Sequence, residues 1–459
     1  MSTKTRKKSL SPYLMVILSF VGVIFLGAML LTFPFAHKDN QWGQFIDSLF
    51  IATSATCVTG LCTYSAGIGG ELNYFGQAVV LVMIQIGGLG FITIFTFIVS
   101  LFQKKLQFKD RLFLSQAVNS NTIAGVSKFV KRVIGIVITF ETLGFLLGLP
   151  VFLSIPEYST GEAIWTSLFT SVSAFNNAGF DIFGNLSLIR DASNPIIYNM
   201  PTWAYYYMCW YIMGLIVMGG ISFITIIDLV ILRKKPRQWS SFVRIVLLTT
   251  VILLVTGFIS FMLTDMINGT VDAFDCLFQS VTLRTAGFAV FDQNTLSNAG
   301  KTISCLFMFI GGSPISTAGG IKTTTIFIII LCLVRFLQGK SIHAFKREYS
   351  KTSILKATSL VFLSIFIIVI AFISISSIER DLPLATTENI FFEIFSAFGT
   401  VGLTTGLTPD LQMGSKIILI LLMFFGRLGP ITLFQLFQVK MDGEENIHYQ
   451  RVETDVIIG

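Results

Sequence analysis

“DSLFIATSATCVTGL” (Asp47–Leu61) closes on a glycine and a large apolar residue, and the chain returns to such an ending three more times. The counterparts read “TSLFTSVSAFNNAGF” (Thr166–Phe180), “DCLFQSVTLRTAGF” (Asp275–Phe288) and “FEIFSAFGTVGL” (Phe392–Leu403). Each is a short amphipathic helical stretch, then small or polar residues, then glycine and a large apolar residue. The glycines are Gly60, Gly179, Gly287 and Gly402, separated by 119, 108 and 115 residues. One such tetrapeptide means nothing, because membrane helices are rich in glycine. Four of them at near-regular spacing mark an internal repeat.

The surroundings are strongly apolar. Of 459 residues only 12% are charged, against roughly 25% in soluble proteins, and the mean hydropathy is +0.77. Eight long apolar spans can be drawn, near 11–33, 75–102, 128–153, 203–232, 242–265, 302–335, 352–377 and 414–438. This is an all-α polytopic membrane protein. The apolar segments in these repeats are only ten to thirteen residues long, too short to cross a core of about 30 Å, and read as re-entrant.

Charge orients the chain. Of the 32 Lys and Arg, 24 fall on the side of the termini and the basic loops 103–111, 233–237 and 335–351. That side is expected to be cytoplasmic, with the re-entrant segments entering from outside. The basic start “MSTKTRKKSL” precedes an apolar run without a small-residue cleavage site, so it reads as a retained cytoplasmic end. The net charge of +7 reflects these loops, and no nucleic-acid partner is expected. Six scattered cysteines without a C-x-x-C support neither a metal site nor a disulfide framework.

The expected organisation is four tandem helix–pore-loop–helix repeats around a pseudo-fourfold central pore. The repeats cover 11–102, 128–232, 242–335 and 352–438, flanked by cytoplasmic ends 1–10 and 439–459. Non-helical backbone at membrane depth must be buried or line water. Carbonyls from four converging loops can replace the hydration shell of a cation. Glycine allows positive φ and leaves no Cβ where the backbones meet. The inward C-terminal ends of the short helices favour cations over anions.

In this order, “TCVTGL”, “NNAGF”, “LRTAGF” and “GTVGLT” resemble the filter loops of the Trk/Ktr/HKT superfamily of potassium transporters. The resemblance covers nearly the whole chain. Without two extra N-terminal helices, it points to a Ktr-type pore subunit. It implies a potassium filter of Val58, Thr59, Gly60; Asn177, Ala178, Gly179; Thr285, Ala286, Gly287; and Thr400, Val401, Gly402. Glycine at all four places implies potassium selectivity, whereas plant members with serine at the first lean towards sodium.

“GGSPISTAGGIKTTT” (Gly311–Thr325) interrupts the sixth span, which as one helix would be about 50 Å long. Gly311, Gly312, Pro314, Gly319 and Gly320 supply a break, and Ser313, Ser316, Thr317 and Thr323–Thr325 can satisfy its backbone. The segment 311–325 is placed just below the filter, and the resemblance implies that it gates. Arg427 lies about halfway down the last span, where a charge needs a partner or a cavity. Carbonyls of the broken segment are candidate partners; a positive barrier on the pathway is the other reading. Lys322 either joins the gate or reaches the cytoplasmic boundary. Arg284 is expected behind the filter, holding carbonyls or paired with Asp272 or Asp275. Glu141 reads as an interhelical hydrogen-bonding acid or a coupling site.

No nucleotide-binding signature is present, so ions would move down their electrochemical gradient. No cofactor is expected beyond permeant K+, with a possible Na+ dependence. The resemblance implies a homodimer in the plasma membrane on a cytosolic nucleotide-binding ring of the RCK/KTN type, with the tail “HYQRVETDVIIG” at the dimer interface. A sodium- or proton-coupled symporter on the same scaffold is the alternative. An intramembrane enzyme would need a site such as H-E-x-x-H, and the three histidines are far apart.

Overall fold

The computed structural model describes residues 12–90, 126–184, 187–231, 239–345 and 347–429. The basic stretches 1–10, 103–111 and 233–237 and the tail 439–459 lie outside them.

Fourteen longer helices fall into four sets among the described residues. The first holds α1 (Pro12–Thr32), α2 (Phe45–Cys57) and α3 (Tyr74–Leu89). The second holds α4 (Val126–Leu153), α5 (Thr160–Asn176), α6 (Thr202–Gly220) and α7 (Phe223–Ile231). The third holds α8 (Ser241–Phe261), α9 (Ala273–Thr282), α10 (Asn298–Phe309) and α11 (Thr323–Leu337). The fourth holds α12 (Lys351–Ile378), α13 (Thr387–Gly399) and α14 (Met413–Leu428). A small β-hairpin, His343–Ala344 with Arg347–Glu348, precedes α12.

Polar residues mark the helix starts. Asn73, Ser240, Ser297 and Thr386 each accept a backbone N–H from the first turn of the helix they cap; Ser159 and Glu162 form a capping box on α5. Lys128–Leu153, Ser241–Met266 and Lys351–Ile378 are long and apolar enough to cross a bilayer. Their large apolar side chains stay widely exposed, as at Phe362, Phe366 and Ile373, which suits a lipid-facing wall.

The closing helices end or break inside the spans drawn from sequence, and residues 91–102 and 430–438 of two of those spans lie outside the described residues. α3 and α14 stop at Leu89 and Leu428, before Gly90 and Gly429, both at positive φ. α10 breaks at Ile310. The expected single span 203–232 is two helices, α6 and α7, bent by 95°. The cause is a second fourfold motif, “QIGGLG”, “VMGGIS”, “FIGGSP” and “FFGRLG” (85–90, 217–222, 309–314 and 424–429). At Gly87, Gly219 and Gly426 a Cβ would sit 2.0, 1.8 and 1.9 Å from the carbonyl oxygens of Thr56, Phe175 and Phe398. The closing helices therefore touch the ends of their own re-entrant helices through bare backbone.

The sets close on one another. α3 packs on α5, α6 on α9, α10 on α13, and α14 returns to α2. The last contact carries an ion pair, Lys416 Nζ to Asp47 Oδ1 at 2.8 Å. Residues 12 and 429 thus bound a closed ring of helix contacts.

Candidate functional site

The re-entrant helices α2, α5 and α13 end in left-handed caps at Val58, Asn177 and Thr400. In the third set the left-handed residue is Thr285, at φ 68. Non-glycine residues rarely adopt this region. Two residues beyond each stands its glycine, at φ 100, 67, 84 and 93 for Gly60, Gly179, Gly287 and Gly402.

These glycines meet in a cycle. A Cβ on Gly60 would approach Ala178 O to 2.5 Å, and on Gly179 would approach Ala286 O to 2.8 Å. On Gly287 it would meet Val401 O at 2.4 Å, and on Gly402 it would meet Thr59 O at 2.1 Å. Each glycine thus faces one carbonyl of the next loop, and the fourth glycine faces the first loop. The hydroxyls of Thr59 and Thr400 are buried without a partner among the described residues. Beyond the glycines opens a cavity of about 440 Å³, lined by all four and by Asp181, Asp292, Thr404 and Asp410. Acids of one sign in a walled cleft concentrate cations.

Sequence reading missed what holds these loops. Gly60 N–H donates to Ser54 Oγ at 3.0 Å and Gly402 N–H to Ser396 Oγ at 3.1 Å. Ser173 and Thr282 hydroxyls donate to the carbonyls of Phe180 and Phe288. A hydroxyl residue five or six positions before every glycine was the available signal.

Arg284 is buried, and its Nη2 lies 3.5 Å from Thr250 Oγ1 on α8, away from the glycines. The expected pairing with Asp272 or Asp275 does not form. These acids close a capping box at the far end of α9, with Asp272 N–H on Asp275 Oδ2 at 3.1 Å. Arg284 lies beyond the opposite end of that helix. Glu141 accepts from Gln85 Nε2 at 3.2 Å and from Asn176 Nδ2 at 2.9 Å, joining α3, α4 and α5.

Residues 310–322 form an irregular segment beneath the glycines. Gly311 N–H donates to Ile321 O at 2.9 Å and Thr323 N–H to Gly312 O at 3.1 Å, drawing the two ends together. Ser313 N–H donates to Gly220 O at 3.1 Å, Thr317 N–H to Gly219 O at 3.3 Å, and Phe223 N–H to Ile315 O at 2.9 Å. The bend between α6 and α7 is thereby filled by this segment's backbone. Pro314 turns the chain, and Ser316 Oγ donates to Ser313 O at 2.7 Å. Gly319 lies against Thr400 and Gly320 against Gly399 O. Lys322 Nζ folds back to Ala318 O at 2.7 Å and Gly319 O at 3.2 Å. Arg427 Nη1 donates to Thr317 O, while Nη2 donates to Gly87 O at 2.6 Å and reaches Gly88 O at 3.4 Å. It stands where the other three closing helices have Gly88, Gly220 and Gly312.

Comparison with known proteins agrees with this architecture. Residues 2–449 match the family described as TrkH, cation transport protein. The potassium/sodium uptake protein NtpJ of Enterococcus hirae is 35% identical, over 99% of both chains. The Ktr system potassium uptake protein B of Bacillus subtilis is also 35% identical, over 94% of each. The crystal structure of the potassium transporter TrkH from Vibrio parahaemolyticus superposes with a TM-score of 0.70 at 17% identity, covering 95% of this chain and 86% of that one.

Proposed function

We propose a potassium pathway for this chain, which belongs to the TrkH family of cation transport proteins. The observation that carries the reading is the cycle of Gly60, Gly179, Gly287 and Gly402, each against the preceding loop residue of its neighbour. A potassium ion on that axis would exchange water for the carbonyls of Thr59, Ala178, Ala286 and Val401. Val58, Asn177, Thr285 and Thr400 set the loop entries, and the unpartnered hydroxyls of Thr59 and Thr400 offer further oxygens. The acids around the outer cavity would collect the ion. The names of the relatives, uptake proteins for potassium or for potassium and sodium, support K+ as the main permeant and leave a place for Na+.

Segment 311–325, from Gly311 and Gly312 through Lys322, is then the gate, and Arg427 its latch. The four repeats 11–102, 128–232, 242–335 and 352–438 supply the quadrants of the pore. Uptake would follow the membrane potential, worth about 2.3 kcal/mol per charge per 100 mV. The pore would sit in the plasma membrane with both termini cytoplasmic, as a homodimer on a nucleotide-binding ring. The β-hairpin at 343–348, with Arg335, Lys340, Arg347 and Lys351 around it, is a basic surface for that ring. The experiment is 86Rb+ or K+ uptake into proteoliposomes holding the purified chain, driven by potential alone. Uptake without any Na+ or proton gradient supports the pore; uptake that requires either gradient supports the symporter.

A further inference from the structure

The fourth filter loop is held differently from the others. Glu393 lies in α13, three residues before Ser396, so both face the same side of the helix. The residue is only 2% exposed, yet no cation lies within ion-pairing distance of its carboxyl group among the described residues. It spends its lone pairs on the loop beyond Gly402. Oε1 accepts the Thr404 hydroxyl, Thr405 N–H at 3.1 Å and, more distantly, the Thr405 hydroxyl at 3.5 Å. Oε2 accepts the Thr408 hydroxyl at 2.7 Å. One turn below, Ser396 takes Val401 N–H on its carbonyl at 2.9 Å and Gly402 N–H on its hydroxyl at 3.1 Å.

We infer that Glu393 is the positioning residue of the fourth filter strand and of the outer mouth beside it, and so sets how well the pathway separates potassium from sodium. The inference rests on the filter reading given above. A buried carboxylate is tolerated when several donors satisfy it. Here the donors come from residues 404–408, and Leu403, Thr404, Thr405 and Gly406 line the outer cavity. Thr404 gives its only proton to Glu393 and takes Gly406 N–H on its oxygen at 3.0 Å, so the carboxylate fixes the turn at the mouth of the cavity. The third set does this work with a neutral pair, Gln279 Nε2 to Gln293 Oε1 at 2.6 Å. The fourth loop alone among the four has a carboxyl group behind it at this point: the residues nine places before Gly60, Gly179 and Gly287 are Ile51, Thr170 and Phe278.

The test compares Glu393→Gln, Gly402→Ser and the unaltered full chain in proteoliposomes, measuring maximal rate and half-saturation for K+ and Na+ separately. Glutamine keeps the volume, but its amide NH2 donates and cannot accept the threonine protons. Glu393→Gln should reduce the potassium-over-sodium preference about tenfold, through the half-saturation ratio. If it does not reach the membrane folded, Thr404→Val with Thr408→Val removes the two closest hydroxyl contacts to Glu393 at nearly equal volume and should shift the ratio in the same direction. Equal losses of maximal rate for both ions, with the ratio kept, would make Glu393 a merely structural residue and overturn the inference. An unchanged Glu393→Gln beside a less selective Gly402→Ser overturns the inference and leaves the filter standing. An unchanged Gly402→Ser removes the filter reading and this inference with it.

Discussion

Arg427 donates a guanidinium N–H to the carbonyl of Thr317, so the last helix holds the irregular segment of the third repeat against the underside of the four-glycine cycle. Its other arm reaches Gly87 O and Gly88 O at the end of α3. One side chain therefore bridges three sets of helices at a depth where a charge is costly without partners.

Arg427→Gln should loosen that segment. A charge-assisted hydrogen bond is worth about 1.5–3 kcal/mol, enough for a population shift of about tenfold. Potassium flux into proteoliposomes should rise by that order at fixed potential. Flux equal to that of the unaltered chain removes Arg427 from the gate.

Deleting residues 313–321 should raise flux further. The deletion removes the backbone contacts to Gly219, Gly220 and Phe223 and the packing of Gly319 on Thr400. The measurement is single-channel open probability in planar bilayers. A deletion that folds and conducts no more than the parent refutes the gating role.

Gly60→Ser should weaken discrimination against sodium. Gly60 lies at φ +100, and its Cβ would stand 2.5 Å from Ala178 O and 2.9 Å from Gly179 Cα, inside contact distance. The ring must widen on that side, costing about 1–3 kcal/mol of strain. Competition of Na+ with 86Rb+ uptake reads the effect, and an unaltered competition curve would count against the filter assignment.

Ser54→Ala and Ser396→Ala each leave a glycine N–H of the cycle without its acceptor. A buried unsatisfied donor costs about 1–3 kcal/mol. Each variant should melt a few degrees lower and lose selectivity more than rate. Thermal unfolding in detergent, paired with the same competition assay, checks both halves.

Lys416→Ala should destabilise the closure between the last and first sets. Side chains of Lys416 and Asp47 are 11% and 14% exposed, and breaking a largely buried pair from one side costs about 3 kcal/mol. The charge-reversed double variant Lys416→Asp with Asp47→Lys should recover much of the loss. Equal melting temperatures for parent and single variant would show that the pair does not hold the ring.

The chain by itself determined its class, its four short helices, its four glycines and the interruption after Phe309. Those are local properties: hydropathy over a window, a recurrent tetrapeptide, and proline with glycine inside an apolar run. Tertiary structure alone decided where the other closing helices end. Apolar character runs on past Gly90, through Ile221 and past Gly429, so no window of hydropathy marks a stop. The stop comes from contact with another element: Gly87, Gly219 and Gly426 against re-entrant helix ends, and the α6–α7 bend filled by Ser313, Ile315 and Thr317. Partner choice was equally hidden. Arg284 turned to Thr250 and left Asp272 and Asp275 to cap their helix, and Ser54, Glu393 and Ser396 look like ordinary polar residues of amphipathic helices. A hydrogen bond depends on which atoms meet in space, and residues 60 and 402 become neighbours only when the ring has closed.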